Sequence, residues 1–131
     1  MIEKYYNSKN VLLAYTISSK DKCEGINFIS DPNAFFQTAE MSHKKGHIIQ
    51  NHFHNTIKRE IDITSEAIIM RKGLLRVFLF ENMNLIHEFT ISDGDILILL
   101  SGGHGFEMLE DSDFVEIKQG PFLGDADKTR F

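Results

Sequence analysis

From Gly46 onward the chain runs in short apolar or alternating stretches, each closed by turn-forming residues within about eight to twelve positions. This rhythm predicts an all-β sandwich or barrel. The stretches are Thr64–Arg71, Leu75–Glu81, Leu85–Thr90, Ile96–Leu100, His104–Leu109 and Phe114–Gln119. Between them lie Lys72-Gly73, Asn82-Met83-Asn84, Ser92-Asp93-Gly94-Asp95, Ser101-Gly102-Gly103 and Glu110-Asp111-Ser112-Asp113. Glycine takes positive φ without penalty, and Asn and Asp bond their own backbone, so these segments turn the chain. Val, Ile and Phe crowd the stretches, as strands prefer.

The first 45 residues are less periodic. Val11–Ile17 reads as a strand and Ile26–Ser30 as another, while Phe35–Met41 is open between strand and short helix. A length of 131 residues fits one domain. The expected division is N-terminal strands over 1–45, a barrel core over 46–119 and a tail over 120–131 that packs on the barrel or a partner.

A net charge of −5 and no basic cluster longer than Lys44-Lys45 argue against nucleic acid as partner. No apolar run approaches the roughly 20 residues that span a bilayer, so no membrane role is expected. The start, Met1-Ile2-Glu3-Lys4, lacks a signal-peptide layout, and the expected location is cytoplasmic. Cys23 is the one cysteine, and an internal disulfide is excluded. It stands among Asp21, Lys22 and Glu24 and reads as a loop residue.

Six histidines occur. His52 and His54 are two apart, and on a strand such residues point to one side. His104 follows Gly102-Gly103, opens a strand, and can supply a third nitrogen from another wall. Imidazole suits zinc, copper, iron and nickel, and an added carboxylate moves the preference toward iron or manganese. His43 and His47 read as exposed, and His87 as a solvent-facing strand residue.

Gly46 lies six positions before His52, Gly73 seven after Glu66, and Gly94 ten before His104. Over Gly46–Gln119 this resembles the two motifs of the cupin superfamily, Gly-x5-His-x-His with Glu-x6-Gly, then a glycine, a short strand, a turn and a histidine. The resemblance implies a double-stranded β-helix, or jelly-roll, barrel holding one divalent metal (Fe, Mn, Ni, Co or Zn) on His52, His54, Glu66 and His104. Two departures stand out. Eleven residues separate His54 from Glu66, and Leu99-Leu100-Ser101-Gly102-Gly103 replaces the family's usual proline turn. Glu60 is the competing carboxylate, but Lys58-Arg59-Glu60-Ile61-Asp62 reads as a solvated strand with Ile61 and Ile63 inward.

Strand parity from Glu66 and His104 puts Ile68, Met70, Phe106 and Met108 on the pocket wall. Arg59, if inward, would bind a ligand carboxylate or phosphate in fork geometry. Glu116 and Lys118 read as an ion pair on the barrel exterior. Phe122, Leu123 and Phe131 call for burial, with Asp125, Asp127 and Lys128 near the rim. The expected partners are a small-molecule ligand and a second copy, since an exposed sheet edge favours a homodimer. The functional expectation is a metal-dependent enzyme acting on a small acid or sugar derivative. A metal or ligand-binding module without a reaction stands beside it. The end Lys118–Phe131 resembles short cupins placed with surface-polysaccharide synthesis. Nucleotide-sugar ketoisomerases share a His-x-His strand and an Asp-rich tail and work without metal, with histidine as acid or base.

Overall fold

Alternating β-branched and aromatic residues become ten antiparallel strands in the computed structural model, which describes residues 1–131. They are β1 (Glu3–Tyr6), β2 (Leu12–Ile17), β3 (Gly25–Phe28), β4 (Ala39–Ser42), β5 (Glu66–Lys72), β6 (Leu74–Glu81), β7 (Asn84–Ser92), β8 (Ile96–Leu99), β9 (Gly103–Met108) and β10 (Asp113–Lys118). A single 3-10 turn, Gly124–Asp127, lies in the tail. No helix is long and apolar enough to cross a membrane.

The chain divides into two compact units. One comprises Met1–Lys20 with Ile63–Phe131, the other Asp21–Asp62. In the first, a five-stranded sheet runs β1-β2-β8-β5-β10 and a three-stranded sheet runs β7-β6-β9. Both feed one core. Leu13 and Ala14 of β2, Ile68 and Met70 of β5, and Leu97 and Leu99 of β8 meet Leu75, Val77 and Leu79 of β6 and Ile91 of β7. Two antiparallel sheets thus face each other as in a β-sandwich. The all-β expectation holds at this level. A closed barrel does not form, because no ladder joins the sheets and β9 and β10 each have one unpaired side.

Two turns show how local chemistry sets the register. Asn82 and Met83 take φ of 48° and 65° between β6 and β7, the double positive φ of a tight hairpin turn. Gly73 has φ 110°, and a Cβ there would stand 2.6 Å from the Asp111 carbonyl oxygen. Only glycine meets both conditions.

In the second unit β3 and β4 pair with each other. Residues 43–62 contain no strand, and every one of them is exposed. The solvated strand expected over Lys58–Ile63 is therefore absent, and Ile61 and Ile63 are exposed rather than inward. Polar–apolar alternation predisposes a segment to strand geometry, but a strand also needs a ladder partner, and no ladder forms along 43–62.

Candidate functional site

Glu66 opens β5 with Ile68 and Met70 on its own face, and both of these lie in the core. The alternation thus turns the carboxylate inward, and Glu66 is 6% exposed. His104 stands opposite Leu79 on β6, a core residue, so it projects from the facing sheet toward the same interior. His104 Nε2 lies 3.2 Å from Glu66 Oε2. That oxygen is sealed from solvent and has no aligned hydrogen-bond donor, and the contact is an ion pair when His104 is protonated.

The β10 register places Lys118 opposite Glu66 and Glu116 opposite Ile68. Both therefore lie on the inner face, which corrects the exterior ion pair expected from sequence. Val115 and Ile117 look like the buried side of that strand, yet they occupy its other face. Lys118 Nζ stands 3.9 Å from Glu66, 3.7 Å from Glu116 and 3.8 Å from Asp127. Asp127 also accepts a hydrogen bond from the Thr64 hydroxyl at 3.3 Å, which ties the tail to the start of β5. The His104 imidazole holds the Glu66 carboxyl below its ordinary range. Burial opposes this, and the charges of His104, Lys118 and Lys128 add to it.

Of these groups Glu66, His104, Glu116, Asp127 and Lys128 line a cavity of about 780 Å³ together with Phe106 and Phe131, and Lys118 does not. The tail forms one wall. Phe131 meets Phe80 edge-to-face at 5.1 Å, and a Cβ on Gly103 would come within 2.9 Å of the Phe131 ring. Gly103 thus leaves room for the terminal phenylalanine. Of the residues expected on the pocket wall, Phe106 is there. Ile68 and Met70 are sealed in the core. Met108 shares the inner face, opposite core Leu75, but at the strand end it is 49% exposed. Asp127 and Lys128 line the cavity as the acidic tail suggested, whereas Asp125 pairs with Arg130 at 3.2 Å. Phe122, Leu123 and Phe131, expected to be buried, are exposed, Phe131 even with its ring against Phe80.

His87 does not stand free in solvent as expected. Its Nε2 lies 2.7 Å from the Tyr6 carbonyl oxygen, and its ring rests on Tyr5.

The second unit holds His52, His54 and Arg59, all exposed and outside any strand. The expected strand for the two histidines is absent. Their rings nevertheless stand edge-to-face at 5.4 Å, with His52 Nδ1 2.8 Å from the Gln50 carbonyl oxygen. Glu60 pairs with Lys58 at 3.1 Å on the surface. No group of three or more His, Cys, Asp or Glu is gathered for a metal within either unit. A metal site takes at least three protein ligands. Glu66 and His104 are an imidazole and a carboxylate suited to that role, but they number two. No family model, curated protein or solved structure matches the chain.

Proposed function

We propose that the chain binds and transforms a small anionic molecule in the Glu66–His104 cavity. His104 is the acid–base group, and Glu66 is the carboxylate that orients it. The observation that carries this reading is the buried Glu66 carboxylate, 3.2 Å from His104 Nε2 at a cavity wall. A buried carboxylate fixes the ring orientation of a histidine and stabilises its protonated form. With Nε2 against Glu66, Nδ1 is the nitrogen that meets the ligand. Lys128 and Arg130 supply positive charge, and the aromatic wall of Phe78, Phe80 and Phe106 supplies apolar area. A volume near 780 Å³ falls in the range of small-molecule sites. An organic acid or sugar derivative fits this chemistry, as does a place in carbohydrate metabolism. The facing antiparallel sheets agree with a cupin-type jelly roll.

The test is calorimetric titration with a panel of small carboxylates, sugar phosphates and nucleotide sugars. Binding that is lost in Lys128→Met supports the site. Turnover lost in His104→Gln with binding retained supports the acid–base role, and binding without turnover makes the protein a ligand-binding module. Binding of a panel member that survives Lys128→Met unchanged refutes the proposal.

A further inference from the structure

The cavity wall is built from two kinds of segment. One side comes chiefly from β5, β6, β9 and β10, whereas Asp127 to Phe131 supply five consecutive lining residues. No residue of 124–131 is buried, and none joins a ladder. Segments with few buried contacts open on their own at small cost, and lids are drawn from them. Two contacts hold this one down. Asp127 accepts a hydrogen bond from the Thr64 hydroxyl at 3.3 Å and stands 3.8 Å from Lys118. Phe131 meets Phe80 edge-to-face at 5.1 Å, beside Gly103. Gly103 and Gly105 stand opposite Phe80 and Phe78 on the neighbouring strand. That side of β9 therefore carries no side chain at either position, which leaves a slot beside the two rings. A Cβ on Gly103 would close the slot, since it would come within 2.9 Å of the Phe131 ring. Charge divides along the same line. The strands offer Glu66, Glu116 and His104 to the cavity, while Lys128 and Arg130 lie on 124–131.

We propose that residues 124–131 are a strap that opens to admit an anionic ligand to the Glu66–His104 cavity and closes over it, latched by Phe131 in the Gly103–Phe80 slot and by Asp127 on Lys118. This rests on reading that cavity as the ligand site. The division of charge says what closes the strap. With the strap away, an anion meets two carboxylates and one imidazole. With the strap down, it also meets Lys128 and Arg130. An anion therefore favours the closed state by the difference in its interactions with the two. The second latch reaches the working pair as well, because the Lys118 ammonium that holds Asp127 stands 3.9 Å from Glu66. Neither latch is strong. An aromatic pair such as Phe131 and Phe80 shifts an equilibrium by roughly two- to tenfold, so the strap can open while both sheets stay folded.

The experiment uses a Cys23→Ser background, in which His104→Cys places a thiol in the cavity and its labelling by fluorescein maleimide reports access. Asp127→Asn keeps the size of that side chain and removes its charge. It is expected to speed labelling roughly two- to fivefold, and Phe131→Ala roughly two- to tenfold. Equal rates with the native strap and with Asp127→Asn overturn the proposal. A second readout keeps His104. The chain has no tryptophan, so Phe131→Trp sets a single indole at the latch. Adding Gly103→Ala or Asp127→Asn is expected to raise acrylamide quenching of that indole and lower its anisotropy, with the far-UV circular dichroism unchanged. An indole that responds to neither also overturns the proposal. Inorganic phosphate, compared with chloride at equal ionic strength, is expected to slow labelling under the native strap but not in Lys128→Met combined with Arg130→Gln. Labelling that phosphate leaves unchanged overturns closure by an anion. The access and indole contrasts need no ligand, so a ligand panel without a binder, with both contrasts intact, sinks the site reading alone. Absent contrasts with panel binding retained sink the strap alone.

Discussion

Glu66→Gln tests the charge at the centre of the cavity while keeping its shape. In the native protein the carboxylate faces His104 at 3.2 Å and Lys118 at 3.9 Å. The substitution leaves both donors against a neutral amide. Removing the charged partner of a buried polar group costs about 1–3 kcal/mol. The His104 and Lys118 side chains keep 31% and 22% of their exposure, and solvent screening places the expected loss toward the low end, about 1.5 kcal/mol. With a urea dependence of about 2 kcal/mol/M, the midpoint falls by roughly 0.7 M at pH 7. The folded Glu66 carboxyl lies below its ordinary value of 4.5. Over the interval between, the unfolded chain binds more protons than the folded one. The stabilisation is therefore complete above about 4.5 and is lost as pH falls through the lower, folded value. Glutamine does not titrate, so the gap between the two proteins closes in acid. Urea unfolding followed by circular dichroism from pH 7 to pH 3 reads both effects. Equal midpoints at pH 7, or a gap that persists undiminished in acid, would refute the reasoning.

Met83→Gly is expected to raise stability by about 0.5–1 kcal/mol, read as a higher Tm, because Met83 holds φ 65° in the β6–β7 turn. Gly73→Ala is expected to cost at least about 2 kcal/mol in urea unfolding, since its Cβ would strike the Asp111 and Ser112 backbone at φ 110°. Gly46→Ala, also at positive φ but with nothing within 4 Å, should cost less, as strain alone. Met70→Ala empties a fully buried site and should destabilise by about 2–5 kcal/mol in the same assay.

What the residue order determined by itself is the strand programme of the second half. The six stretches expected after Gly46 overlap β5 to β10, because β-branched alternation and turn chemistry act over neighbouring residues and need no tertiary information. Val11–Ile17 and Ile26–Ser30 overlap β2 and β3 for the same reason, while β1, polar at Glu3-Lys4, carried no such signal. The inward direction of Glu66 was also legible, since Ile68 and Met70 mark its face two and four residues on. Tertiary structure alone decided the rest. The inner face of β10 was hidden because Val115 and Ile117 mimic a buried side, and only the pairing of Lys118 with Glu66 reveals the orientation. The His52–His54 segment alternates like a strand but has no ladder, and alternation cannot say whether a partner edge exists. The meeting of Lys118 with Asp127, and of Phe131 with Gly103 and Phe80, depends on where the tail turns back. Such contacts join residues far apart in the chain, and their geometry is set by the packing of two sheets on a shared core, which no local pattern encodes.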